Sequence, residues 1–377
     1  MKIEGGLVFD ENYSFTKKDV FTEGEFFSEK SSDEDVIDAT GCYVIPGLVD
    51  IHVHGCMGSD FCDATAESIE EFLKFEASCG VTAICPTTMT VPMEKLLRVA
   101  DATKEYMDTR KAAAKEAGHF IGINMEGPFI SPEKKGSQEL SDIRDPDADF
   151  VRQMNERSGG MIKLVDIAPE RPGAFDFIKE LSDEFIISIA HTDCDYDTAL
   201  EAMKLGAHHV THLYNAMRPY LHRAPGPVGA AIDDKECMSE LITDGVHHHG
   251  SVDRNTFTLL GADRVVLISD SMRATGLPDG TYELGGHDVF VKGKKALLSD
   301  GTIAASVTNL FDCMMTAADE IGIPFEIAVR CATINPAKSV KADDMIGSIE
   351  TGKYADFLLI DKGSHKLKQV VLRGRRL

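Results

Sequence analysis

The chain has 377 residues, 43% of them hydrophobic and 27% charged, with a net charge of −23. That length suits one large domain plus a small one, and the acidic balance argues against nucleic acid or an anionic membrane as partner, because either needs a basic footprint. No apolar run approaches the roughly 18 residues of a membrane helix, and Met1-Lys2-Ile3-Glu4-Gly5-Gly6 lacks a signal peptide's apolar core, so a cytoplasmic location is the default expectation.

Residues 1–46 read as short strands and turns: Lys2–Phe9, then Asp35–Asp38 and Cys42–Ile45, with no helical period. From Leu48 the pattern changes to short apolar runs alternating with longer amphipathic segments. The runs are Leu48–His54, Val81–Cys85, Phe120–Glu126, Ile162–Ile167, Phe185–Ala190, His208–Thr211, Ser239–Ile242 and Val265–Ser269. Between them, Ile69, Phe72 and Leu73 share one helical face, and Tyr196, Ala199, Leu200 and Met203 another. Eight strand–helix alternations predict an α/β fold, a (β/α)8 TIM-like barrel, over residues 47–345. Strand-like pieces return at Ala355–Ile360 and Gln369–Leu372. Residues 1–46 and 346–377 are therefore expected to close a small β-sandwich domain from both chain termini. Gly280–Asp300, punctuated by Asp279-Gly280, Gly285-Gly286 and Asp300-Gly301, reads as an insertion after the eighth strand, either a lid or a plain excursion.

The polar residues at the strand ends carry the chemistry. In Pro46-Gly47-Leu48-Val49-Asp50-Ile51-His52-Val53-His54-Gly55, alternate side chains point the same way, so His52 and His54 share a face. The third run ends at Glu126, the fifth leads into His191, the sixth into His212 and the eighth into Asp270. Barrel active sites sit at this C-terminal rim. Four imidazoles and two carboxylates converging there suit zinc, iron or a similar divalent ion. They exceed the needs of one tetrahedral site, so one or two metals per subunit are expected, with Glu126 bridging ions about 3.5–4 Å apart in the two-metal case. Such a centre lowers the pKa of bound water far below that of bulk water, towards about 7, which makes hydrolysis the natural chemistry. Nine cysteines without a Cys-x-x-Cys pair read as reduced thiols. Cys56 and Cys62, close behind the histidine pair, are read as buried thiols in preference to metal ligands.

The arrangement resembles the amidohydrolase superfamily and, within it, the N-acetylglucosamine-6-phosphate deacetylases. The resemblance spans nearly the whole chain. Besides the histidine-pair segment it rests on Glu126-Gly127-Pro128-Phe129, His191-Thr192, Thr211-His212-Leu213-Tyr214-Asn215-Ala216-Met217, Asp244-Gly245-Val246-His247, Ser269-Asp270-Ser271-Met272 and Ala274-Thr275-Gly276-Leu277-Pro278. It implies that Glu126, His191 and His212 hold the main metal, with His52 and His54 available for a second. Some relatives use a modified lysine at the end of the fourth strand as a bridge, but Lys163 lies near that strand's start and Glu126 is the better candidate. By the same resemblance Asp270 is the general base and then the acid, taking a proton from the attacking water and delivering it to the departing amine. Such a positioned carboxyl contributes about 10²–10⁴ in rate.

The resemblance also implies the substrate contacts. Asn215 and Ala216 offer polar groups to the sugar phosphate, His247 is the matching member of His247-His248-His249, and Ile303-Ala304-Ala305 lines the sugar pocket. His248 and His249 are expected in a solvent-exposed loop. Arg223 supplies a fork-shaped phosphate contact from the adjoining subunit, which implies a homodimer. The chain departs from the family pattern in Glu133-Lys134-Lys135-Gly136-Ser137-Gln138, where Gln138 stands in place of a histidine. Ser137 and Gln138 are still expected at the substrate, although an amide cannot become a cation. Ala224 likewise replaces a common glutamate. The expected activity is metal-dependent hydrolysis of N-acetylglucosamine 6-phosphate to glucosamine 6-phosphate and acetate in amino-sugar catabolism. The competing readings are a deacetylase of the galactosamine epimer or another N-acyl hexosamine phosphate, and a non-catalytic sugar-phosphate-binding homologue.

Overall fold

A computed structural model describes residues 1–377. Each of the eight apolar runs forms a strand: Leu48–Val53, Val81–Pro86, His119–Phe120 continued by Ile123–Met125, Ile162–Ile167, Ile186–Ile189, His209–Val210, Met238–Ile242 and Val265–Ile268. All neighbours pair in parallel. Burial on both faces explains why these strands read as nearly continuous apolar stretches. Two seams close the ring. The Thr88 amide donates to the Asn124 carbonyl at 2.9 Å, and the Asp270 amide donates to the His52 carbonyl at 2.9 Å.

The third strand is interrupted at Ile121-Gly122, where the fourth strand comes close. A Cβ at Gly122 would lie 2.1 Å from Lys163 Cγ on the fourth strand, so only glycine permits that approach. Helices follow the strands in the expected alternation, and several start on side-chain caps. Thr65 accepts from the Ser68 amide, Asp147 from Phe150 and Asp195 from Thr198, each replacing a missing intrahelical partner. The helix Ala66–Ser78 buries Ile69, Phe72 and Leu73 against the barrel, as its periodicity predicts.

The chain ends build two further sheets. Lys2–Glu4, Val20–Glu23, Phe26–Ser28 and Val36–Asp38 form one. The other takes strands from both termini, with Cys42–Pro46 paired antiparallel to Phe357–Asp361. Ile3, Val20, Phe27 and Ile37 of the first sheet pack with Val44, Phe357, Leu359 and Val371 of the second in one apolar cluster. The segment after the eighth strand forms a four-stranded antiparallel sheet, Gly280–Leu284, His287–Lys292, Lys295–Leu297 and Ile303–Ala305. It runs past Asp300 because the Asp300-Gly301 turn returns the chain for a fourth strand, and that strand carries Ile303 and Ala304 to the barrel mouth. No helix is long and apolar enough to cross a membrane.

Candidate active site

Glu126 is the hub of the C-terminal rim. Its Oε1 lies 3.0 Å from His191 Nε2, 2.9 Å from His212 Nε2 and 3.6 Å from His52 Nε2. Its Oε2 lies 3.4 Å from His54 Nε2. Asp270 Oδ1 is 3.3 Å from His54 Nε2 and 3.6 Å from His52 Nε2. His52 lies within the first strand, the other five follow strand ends by one or two residues, and all six are buried.

The far nitrogens of the rings decide what this cluster can hold. His52 Nδ1 sits 3.0 Å from Glu240 Oε2, His54 Nδ1 3.2 Å from the Thr87 carbonyl and His191 Nδ1 2.8 Å from the Lys134 carbonyl. Each Nδ1 faces an acceptor and therefore carries the proton, which leaves the Nε2 lone pair directed at Glu126 and Asp270. Lone pairs and carboxylate oxygens converging on one volume repel unless a cation joins them. His52 Nε2, fully buried, has no hydrogen-bond partner in the protein. These residues fit a divalent cation. Two compact donor groups are present, His52 with Glu126 and His212, and His52 with His54 and Asp270.

The electrostatics favour positive charge in the same place. Burial alone would lower His52, but Glu240 and Glu126 outweigh it and hold the ring well above the usual histidine range. Burial would raise Glu126, yet His52, His191 and His212 hold it well below the ordinary carboxylate range. Asp270 is likewise lowered against its burial, chiefly by His54 and His52. A field that raises the proton affinity of His52 and keeps Glu126 and Asp270 ionised also favours a metal ion in place of a proton on Nε2. The backbone is strained to aim these groups. His191, His212 and Asp270 have φ of 43°, 29° and 49°, left-handed conformations that cost about 1–3 kcal/mol each in non-glycine residues.

A cavity of about 260 Å³ opens onto the cluster. Ser137, Gln138, Asn215, Ala216, His247, Ile303 and Ala304 line it together with His54, Glu126 and Asp270. The protein already engages several of these groups. Gln138 Nε2 donates to Glu126 Oε2 at 2.7 Å while its Oε1 accepts from the Thr90 amide at 2.6 Å, a contact that orients the amide towards the carboxylate hub. Ser137 Oγ donates to the Ala304 carbonyl at 3.0 Å. His247 Nδ1 contacts Asp244 Oδ2 at 2.8 Å, which leaves Nε2 as its free nitrogen. Ala305 is 2% exposed, buried behind the wall. Arg223 lies in an exposed loop and does not line this cavity within one chain. Cys56 and Cys62 are buried and belong to neither donor group.

Residues 43–377 match the amidohydrolase family. The chain belongs to that family. It is 36% identical over 318 residues to the N-acetylglucosamine-6-phosphate deacetylase of Bacillus subtilis (strain 168), spanning 84% of this chain and 80% of the relative. An N-acetylgalactosamine-6-phosphate deacetylase of Escherichia coli O157:H7 is 29% identical over 331 residues, 88% of this chain and 86% of that one. Among solved structures, a mutant N-acetyl-D-glucosamine-6-phosphate deacetylase from Mycobacterium smegmatis in complex with N-acetyl-D-glucosamine-6-phosphate superimposes with a TM-score of 0.91 at 28% identity, covering 100% of this chain and 98% of that one.

In this amidohydrolase the sequence reading missed supporting groups. Glu240 Oε2 accepts from both the His52 ring and the His212 backbone amide, at 3.0 and 3.1 Å. Its signal was an acid inside the apolar strand Met238–Ile242. His248 corrects an expectation: it is buried, its Nδ1 donating to Asp253 and its Nε2 accepting from Asn215 Nδ2 at 2.9 Å. It therefore holds Asn215 in place, while His249 is exposed as expected and caps the following helix. Gly136 and Thr302 also line the cavity, and neither carries a sequence signal distinct from a turn.

Proposed function

We propose that this amidohydrolase hydrolyses N-acetylglucosamine 6-phosphate to glucosamine 6-phosphate and acetate, a step of amino-sugar catabolism. The observation that carries the reading is the convergence of four imidazole Nε2 atoms on Glu126, with Asp270 at the edge of the same cavity. Glu126, His191 and His212 would hold the main metal, with His52 and His54 supplying a second; zinc and iron both suit this donor set. When bound, a divalent cation supplies Lewis acidity, polarising the amide carbonyl and making water acidic enough to attack near neutral pH.

The chain's own residues do the rest. Asp270, anionic and 8% exposed, accepts the proton of the attacking water and returns it to the amide nitrogen, so that the C–N bond breaks to a neutral amine. His247, with Asp244 on its Nδ1, presents Nε2 to the substrate. Asn215, fixed by His248, contacts the sugar phosphate alongside Ala216, and Ile303 and Ala304 cover the ring. The substrate's phosphate meets Arg223 of a second subunit, because Arg223 projects from an exposed loop beside Tyr220 and Leu221, themselves 50% and 55% exposed. A homodimer places that loop over its neighbour's cavity. The terminal sheets complete a small β-sandwich domain of residues 1–46 and 346–377 beside the barrel of residues 47–345.

Acetate release from N-acetylglucosamine 6-phosphate by purified, metal-loaded protein tests the reading, and no release above a metal-free control refutes it. The galactosamine epimer is the second reading, favoured by the 29% identical relative. Comparing kcat/KM for the two epimers separates them.

A further inference from the structure

A cleft of about 610 Å³ lies at the opposite end of the barrel from Asp270, between the barrel floor and the terminal sheets. Lys111, Lys115, Lys163, Lys341 and Arg373 line it, and only Glu25 and Asp344 bring negative charge to its wall. None of the five cations forms an ion pair within 4 Å. In a chain with 62 acidic and 39 basic side chains that concentration is unusual. Elsewhere the arginines find carboxylates readily, as Arg152 does with Glu180 and Glu184. The buried acid Asp356, beside the cleft, is committed: it contacts His119 Nε2 at 2.8 Å and accepts from the Arg373 backbone amide at 2.7 Å.

The positive groups are partly built in. The Lys163 stem packs over Gly122, where no larger residue fits, so this cation is held on the barrel floor. Arg373 Nη1 donates to the Ala117 carbonyl at 3.1 Å, which anchors the guanidinium beside the cleft. Burial, and then the Arg373 charge, pull Lys111 below the ordinary lysine range. Phe120, Ile121, Met345 and Tyr354 supply an apolar wall next to these charges.

We propose that this cleft binds a small metabolite carrying two or more phosphate groups, the phosphates spread across the lysines and Arg373 and the carbon skeleton set against the apolar wall. Charge-assisted contacts to several cations reward a multiply charged ligand over a single phosphate. The strand Ile162–Ile167 is about 20 Å long and separates Lys163 from the catalytic rim, so the ligand needs no contact with the deacetylation chemistry. By bridging Lys163 of the barrel to Arg373 of a terminal sheet it would bind only the folded arrangement and stabilise it.

Calorimetric titration of metal-loaded protein tests this, with glucosamine 6-phosphate saturating the catalytic cavity and potassium chloride matching ionic strength. The two probes are fructose 1,6-bisphosphate and adenosine diphosphate. Saturable binding of either is expected, with a rise in Tm; which one binds more tightly tells whether the wall takes a flat ring or a sugar. The triple variant Lys111→Gln, Lys163→Gln, Lys341→Gln is expected to weaken binding at least about tenfold while leaving kcat and KM for deacetylation unchanged. Lys163→Gln alone serves if the triple variant fails to fold. No binding of either probe beyond the salt control overturns the proposal, as does unaltered binding by the variants.

Discussion

Replacing Glu240 tests whether a carboxylate that never reaches the cavity sets the metal affinity of this site. Its Oε2 accepts from His52 Nδ1 at 3.0 Å and from the His212 amide at 3.1 Å, which fixes one ring and the backbone of another. Glu240→Gln keeps an acceptor but removes the charge. A hydrogen bond to a charged group contributes about 1.5–3 kcal/mol and a neutral one about 0.5–1.5, so the His52 lone pair loses roughly 1–1.5 kcal/mol of support. That predicts about a tenfold loss in metal affinity, at the low end of the range for groups that orient metal-binding histidines. Glu240→Leu leaves two buried donors unpaired at about 1–3 kcal/mol each and should lose at least another tenfold. The measurement is competition with a calibrated chelator, followed by acetate release at saturating metal. A Glu240→Leu protein that binds metal as tightly as the parent would refute the reasoning.

Asp270→Asn should keep the fold and lose about 10²–10⁴ in kcat; a fully active variant removes Asp270 from the mechanism. Arg223→Ala, on an exposed loop, should leave Tm unchanged and raise KM more than it lowers kcat, with partial recovery in mixed dimers with an Asp270→Asn subunit; unchanged KM ends its phosphate role. Glu76 is 0% exposed with neither oxygen hydrogen-bonded, and burial followed by Asp50 hold it well above the usual glutamate range. Its folded-state pKa lies above its unfolded one, so its contribution is fully present below the ordinary glutamate pKa and is lost as pH rises towards the folded value. Glu76→Leu should therefore flatten the decline of stability as pH rises from the ordinary glutamate pKa and stabilise by roughly 1–3 kcal/mol near neutral pH; denaturant titrations of both proteins across pH will show whether it does.

The barrel was legible because parallel strands buried on both faces must be apolar, and because polar residues at their ends stand out against that background. His52, His54, Glu126, His191, His212 and Asp270 were found that way, and the structure brings all six together. Reading failed where one residue's meaning depends on a distant partner. Nothing local marks His248 as the support of Asn215, or Gln138 as a donor to Glu126, since each contact depends on how an irregular loop folds back, across 33 and 12 residues respectively. Glu240 was visible as an acid in an apolar strand but has no rim position to advertise a role. Arg223 lines no cavity within one chain, so its proposed role cannot be read from a single subunit.

The left-handed backbones of His191, His212 and Asp270 set evolutionary pressures against each other. Any substitution to glycine at these positions would relax the chain while destroying the chemistry. A lineage selected for heat tolerance without need of the reaction would be expected to lose the site at these residues first.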